Sequence, residues 1–149
     1  MISKILVPTD GSKPARKSVE YAIELAKQTG STLMLISVID QSYVIPKSMP
    51  VVKTKRILME PVEDYLRLTA EAYLQEAAKV CDENDVPSKG VIRSGHPVEE
   101  IIKEARRSKA DLIVIGSHGR SALKAAVLGS VTYGVINKES KIPVLVVRK

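Results

Sequence analysis

The sequence predicts an α/β fold, a doubly wound parallel β-sheet with helices on both faces, formed by the 149 residues as a single domain. Three observations carry this prediction. Five short runs of aliphatic and β-branched residues recur along the chain. Between them the spacing changes to the three-and-four period of amphipathic helices, and two of the runs lead directly into "PTDGS" and "GSHG". Near-continuous apolar runs suit strands buried on both faces, and regular strand–helix alternation implies right-handed crossovers between parallel strands.

The first strand is expected over "SKILVP", residues 3–8. A helix follows from Pro14 to Thr29, with Ala15, Val19, Ala22, Ile23 and Ala26 on one stripe, Ser12 as N-cap and Gly30 as its end. The second strand is "TLMLISVI", 32–39. After it comes the one segment that is not a short connection: residues 40–60 hold two internal prolines and Lys47, Lys53, Lys55 and Arg56 against Glu60. Such a length suits a lid over a site, or else a solvated excursion or partner contact, with room for a short helix.

From Val62 to Asn84 a second helix is expected, with Val62, Tyr65, Leu66, Thr69, Tyr73, Ala77, Val80 and Cys81 facing inward. Cys81 is then core filling rather than a nucleophile. The third strand is "KGVIRS", 89–94. In "HPVEEIIKEARRS", Pro97 suits a first helical turn, Glu99 and Glu100 face the positive end of the dipole, and Arg106 and Arg107 lie near the negative end. The fourth strand, 111–116, precedes "GSHG". A last helix opens at Ser130 with Val131, Val135 and Ile136 inward, and the fifth strand is 142–148. Gly134 costs that helix about 1 kcal/mol relative to Ala, which points to close packing or to a short helix.

Composition narrows the function classes. The chain needs no staple of disulfide or metal to bury a core, has one cysteine, and shows neither a run of eighteen apolar residues nor a cleavable signal at "MISKILVPTD", so a cytoplasmic setting is expected. A net charge of +6 favours anionic ligands without naming one. With no Trp or Phe there is no aromatic platform for stacked bases, so nucleic acid is not the expected partner.

The glycines of "GSHGRSALKAAVLGS" carry the chemistry. Gly116 and Gly119 close the fourth strand; Gly129 and Ser130 open the last helix. Glycine lets an anion approach a backbone amide, and free amides at a helix N-terminus attract one. A strand-end glycine and a Gly-Ser cap are also ordinary structural features. Neither a Walker loop, G-x-x-x-x-G-K-[ST], nor a dinucleotide fingerprint, G-x-G-x-x-G, occurs.

The spacing Gly116, Gly119, Gly129-Ser130 matches the G-x2-G-x9-G-[ST] signature of the nucleotide-binding branch of the universal stress protein family. "KILVPTDGS", "ADLIVIGSHGR" and "IPVLVVR" resemble the same family, in the same order and across essentially the whole chain. The resemblance implies a five-stranded sheet in the order 3-2-1-4-5 with four helices, of the adenine nucleotide alpha hydrolase-like type. It implies ATP as ligand, often with a bridging divalent metal, Mg or Mn, and a stress-response or signalling module. By position it puts Ile115 and Gly116 near the ribose, and the amides of Gly119, Gly129, Ser130 and Val131 on the phosphates. Pro8, Thr9 and Asp10 would line the adenosine, and the Val38 backbone would meet adenine. Asp10 could instead cap the first helix or its turn. Arg120 and Lys124 read as exposed charges as readily as phosphate partners.

Nothing in the spacing places a catalytic group. His118 and His96 lack a carboxylate partner set by sequence, and both read as exposed polar residues; at most, slow ATP hydrolysis is expected. A weak ATPase and an adaptor that works without nucleotide are the alternative readings. The closing strand, last in the implied order, would present Val144, Leu145, Val146 and Val147 at an apolar edge suited to a two-fold homodimer.

Overall fold

A computed structural model describes residues 1–43, 52–119, 128–139 and 141–148, with 43 and 52–60 described in backbone only. Strands β1 (Lys4–Pro8), β2 (Thr32–Asp40), β3 (Ser88–Gly95), β4 (Leu112–Gly116) and β5 (Val144–Val147) form one sheet in the order β3-β2-β1-β4-β5. Every neighbouring pair is parallel. Helices α1 (Lys13–Thr29), α2 (Val52–Glu83), α3 (Pro97–Arg107) and α4 (Ser130–Lys138) alternate with the strands. The implied strand order is the one observed.

Strand alternation divides the core in two. Ile5, Val7, Leu33, Leu35 and Val114 meet α1 through Val19, Ala22, Ile23 and Ala26, and α2 through Ala77 and Cys81. Leu6, Ile36, Ile113 and Ile115 meet α3 through Val98, Ile101 and Ala105, and α4 through Val135. Chain leaving β1 therefore turns to one face and chain leaving β4 to the other. The strand order reverses between these two neighbours, and a crevice opens at their carboxyl ends. Burial pushes the Cys81 thiol above its ordinary pKa, in keeping with core filling.

Three local expectations change. Nine residues of the segment 40–60 expected to be a connection belong to α2, which starts at Val52 and continues through Pro61. Proline there removes one i→i−4 bond, and the flanking Lys, Arg, Leu, Met and Glu residues are strong helix formers. β2 extends to Asp40 and a 3-10 turn covers Gln41–Tyr43; the remaining 44–51, on which the lid reading chiefly falls, lies outside the described residues.

The inward stripe of α2 is also displaced. Val62 and Tyr65 are exposed, and contact with the sheet begins where Leu66 and Ala70 meet Ile39 near the end of β2. In α4, Ile136 is exposed and Thr132 is buried in its place, because the Thr132 hydroxyl donates to the Gly116 carbonyl at 2.6 Å and turns the helix toward the end of β4. Gly134 serves close packing: a Cβ there would lie 2.7 Å from Val98 Cγ2 on α3.

Two acidic residues tie the sheet ends. Glu139 Oε1 accepts the amides of Lys141 at 2.9 Å and Ile142 at 3.1 Å, turning the chain from α4 toward β5, while Arg106 lies 3.5 Å from Oε2. Asp111 Oδ2, just before β4, accepts the Ser3 amide at 2.9 Å, the Ser3 hydroxyl at 3.0 Å and the Lys4 amide at 3.0 Å. These bonds, the Ser3 amide first, hold the Asp111 carboxyl below its ordinary pKa. Its contribution to stability is complete above the unfolded value of about 3.9 and is lost as pH falls through the lower folded value. Asp111→Asn should therefore destabilise the protein at pH 7 and narrow its gap from wild type in acid, read from melting temperatures across pH 2–7. A gap that does not change with pH would refute this assignment. Among the described residues no helix is long and apolar enough to cross a membrane.

Candidate functional site

The crevice at the strand ends is a cavity of about 780 Å³. Each of its walls follows from a local feature of the sequence.

β1 stops at Pro8. The Thr9 amide adds one more bond, to the Ile36 carbonyl at 2.8 Å, and the chain then turns away through Asp10 and Gly11. Asp10 Oδ1 accepts the Ser12 amide at 3.0 Å, and Ser12 Oγ caps α1 by accepting the Ala15 amide at 3.2 Å. So Asp10 does hold the turn. Its other carboxylate oxygen faces Gly119, where a Cβ would lie 2.8 Å from Oδ2. Gly11 has φ +76°, and a Cβ on it would overlap the ring of Tyr73, which places α2 directly over this turn.

The early end of β1 leaves part of β2 open. In this parallel ladder the even-numbered residues of β2 turn their amides and carbonyls toward β1, as the Ile36 carbonyl does. Val38 is the next of these and has no β1 residue opposite it in the ladder. Its N–H and C=O stand at the cavity as an adjacent donor and acceptor.

On the other side, the chain after β4 is folded onto the start of α4. The Gly129 amide donates to the Ser117 carbonyl at 2.7 Å, and a Cβ on Gly129 would sit 3.5 Å from the Gly119 nitrogen. The glycines that close the strand and the one that opens the helix are therefore neighbours, although residues 120–127 between them lie outside those described. Gly129 is the N-cap of α4 and has no capping side chain. The amides of Ser130, Val131 and Thr132 fall in the first turn, where no intrahelical acceptor exists.

All ten residues singled out in the sequence, Pro8, Thr9, Asp10, Val38, Ile115, Gly116, Gly119, Gly129, Ser130 and Val131, line this one cavity. Gly116 has a structural reason of its own: a Cβ would lie 2.9 Å from the Pro14 carbonyl oxygen in the first turn of α1.

Several lining residues escaped the sequence reading. α2 contributes Leu66, Thr69, Ala70 and Tyr73, α3 contributes Pro97 and Ile101, and β2 adds Ser37 and Asp40. Periodicity marked Leu66, Thr69 and Tyr73 as inward but could not say that inward there means a cavity wall. His118 also lines the cavity, with Nδ1 3.1 Å from Ser117 Oγ, whereas His96 is exposed at the N-cap of α3.

The sequence profile described as "Universal stress protein family" matches residues 1–148. The chain belongs to the universal stress protein family. Universal stress protein MJ0531 of Methanocaldococcus jannaschii is 33% identical over 149 residues, which cover all of this chain and 84% of that protein. The solved structure of MJ0577, from the same organism, superposes with a TM-score of 0.87 at 32% identity, covering 100% of this universal stress protein and 97% of that chain. A more distant structure, the Archaeoglobus fulgidus universal stress protein in complex with dAMP, shares the fold at a TM-score of 0.64 and 19% identity, covering 98% and 97% of the two chains.

Proposed function

We propose that this universal stress protein binds an adenine nucleotide, ATP foremost, and acts as a nucleotide-dependent signalling module of the stress response. One observation carries the reading: the amides around Gly119 and Gly129 and the open first turn of α4 meet at one end of a cavity whose other end holds the N–H and C=O of Val38, which have no β1 partner among the described residues. Free amides and the helix dipole suit phosphates. An adjacent donor and acceptor suit the edge of adenine, which offers one of each. β4 and β2 lie two strand spacings apart, about 10 Å, a distance that ribose and base can bridge. The dAMP complex of the Archaeoglobus fulgidus relative supports an adenine ligand on this fold.

Ribose then lies by Ile115 and Gly116, adenosine by Pro8, Thr9 and Asp10, and phosphates on the amides of Gly119, Gly129, Ser130 and Val131. Of these contacts, most come from backbone. Among the described residues two carboxylates line the cavity, Asp10 facing Gly119 and Asp40 at the end of β2, and no three His, Cys, Asp or Glu converge. That donor set does not make a resident metal site, and no role is derived for Mg or Mn.

Mass spectrometry of the supernatant from denatured protein, with calorimetric titration of ATP, tests the reading. Released adenine nucleotide or micromolar binding is the expected result. Neither nucleotide nor heat would overturn it and leave the adaptor reading. Since His118 lines the cavity beside Gly119, a weak ATPase is the second reading; turnover that survives purification and is lost in His118→Ala would favour it.

We infer also that the protein forms a two-fold homodimer through β5. Val144 and Val146 pack on one face of the sheet and Leu145 and Val147 on the other, so what remains open at the edge is backbone. Pro143 and Val147 carbonyls accept from β4, which turns the amides of Val144 and Val146 outward. Val146→Pro removes an outward N–H and no bond to β4, so it should give monomers by light scattering. An unchanged dimer mass would count against pairing along this edge.

A further inference from the structure

Two successive carbonyls at the end of β4 are held by the start of α4. The Gly129 amide, at the N-cap, donates to the Ser117 carbonyl at 2.7 Å, and the Thr132 hydroxyl, in the first turn, donates to the Gly116 carbonyl at 2.6 Å. The second bond follows from the way the ladder ends. Ile113 and Ser117 give their amides to Pro143 and Val147 on the β5 side, so Gly116 turns its carbonyl toward β1. Pairing of β1 with β4 stops at Leu6 and Ile113, and Pro8, which closes β1, has no N–H to give. The buried carbonyl at the strand end needs a donor from elsewhere, and Thr132, itself 3% exposed, supplies it across sixteen positions. Val135 and Gly134 fasten the middle of α4 to α3, and the N-cap has no capping side chain. Where the first turn stands relative to β4 is therefore set by these two bonds.

We propose that Thr132 is a positioning residue for the phosphates: its bond to Gly116 fixes the open amides of the first turn of α4 opposite the loop that carries Gly119. The inference rests on the nucleotide reading given above. Thr132 acts through α4 and not on the ligand, because a hydroxyl has one proton and Gly116 receives it. Without that hydroxyl the Gly116 carbonyl is left buried and unpaired, which favours a first turn drawn back from β4 far enough to admit water. Amides that converge on one phosphate then no longer do, and donors misplaced by about 1 Å hold an anion far less well than donors in place.

The test is Thr132→Val, with Thr132→Ala as a second loss of the hydroxyl and Thr132→Ser as the variant that keeps it. Val and Ala should each weaken ATP and inorganic triphosphate about tenfold, and Ser by no more than about twofold. Adenosine, which has no phosphate, should bind the Val and Ala variants as it binds wild type. Val135→Ala separates position from stability. It opens a cavity in the middle of the same helix, should melt at least as early as Thr132→Val, and should hold triphosphate as wild type does in titrations well below the melting temperature. Unchanged triphosphate affinity in Thr132→Val and Thr132→Ala, with Gly129→Val abolishing ATP binding, overturns this inference and leaves the nucleotide reading standing. A loss that Thr132→Ser does not recover, an equal loss of adenosine, or an equal loss in Val135→Ala also overturns it. Failure of wild type to bind ATP removes both.

Discussion

Gly129→Val is expected to lower ATP affinity more than a hundredfold while the sheet stays folded. The reason is not backbone freedom, because Gly129 has φ −68° and ψ 159°, which valine adopts readily. Crowding is the reason. The first side-chain carbon would lie 3.2 Å from the Cα of His118, 3.3 Å from the Ser117 carbonyl and 3.5 Å from the Gly119 nitrogen. All three are main chain, so relief requires moving the loop that carries the Gly119 amide away from the start of α4. The two valine methyls then stand between the two sets of amides proposed to share the phosphates. Both the donor geometry and the space are lost together, and a polyanion desolvated without its donors is held poorly. Overpacking of about 1–3 kcal/mol should appear as a fall of roughly 3–10 °C in melting temperature, with the far-ultraviolet spectrum retained. Gly129→Ala should give a smaller loss in the same direction. Calorimetric titration of both variants decides the matter, and an affinity equal to wild type in Gly129→Val would remove the phosphates from this end of the cavity.

Much of the architecture was legible because burial on two faces leaves a strong imprint. The runs "LMLIS" and "LIVI" admit little besides buried strands, and the helix from Pro14 to Thr29 announces itself by its stripe, its Ser12 cap and Gly30, whose φ of +73° ends the helix. What periodicity cannot report is where a helix leaves the sheet. Val62 and Tyr65 keep the same spacing as Leu66 and Ala70, yet the strands end before reaching them, and they are exposed. The same limit applied to α4. Val135 and Ile136 are equally apolar, and only the bond from Thr132 to the Gly116 carbonyl, a contact across sixteen positions, decides which is buried.

The candidate site divides along similar lines. Its glycines were legible, since no other residue combines a missing side chain with an exposed amide, and so was the turn at Asp10. The Val38 amide was placed only by resemblance. Its availability depends on β1 stopping early, a property of pairing between distant segments. Ser37 gave no signal at all, because a serine in an apolar strand is unremarkable until the end of that strand is seen to form a cavity wall.

Gly116 and Gly119 belong to one sequence signature, yet their replacement by alanine should have opposite consequences. At Gly116 the added carbon would lie 2.9 Å from the Pro14 oxygen and 3.0 Å from its carbonyl carbon, in the first turn of α1. Neither atom can turn aside, and α1 is held by its contacts with β1, β4 and α2 through Val19, Ala22 and Ile23. Helix and strand must separate locally, at about 3 kcal/mol, which for a domain of this size is a fall of roughly 6–12 °C in melting temperature. At Gly119 the added carbon meets, among the described residues, one group within 4 Å, the Asp10 carboxylate at 2.8 Å. A carboxylate can rotate, so stability should change by no more than about 0.5 kcal/mol, the range of substitutions outside packed regions. The rotation moves Asp10 and puts a methyl group beside the Gly119 amide, so ATP affinity should fall at least tenfold. Thermal melts and ATP titrations of the two variants form the comparison. If Gly116→Ala melts with wild type and only its nucleotide affinity falls, then glycine at that position serves the ligand. If it melts early, the first glycine of the signature is required by the fold, as the close approach of α1 to β4 indicates, and the second by the ligand.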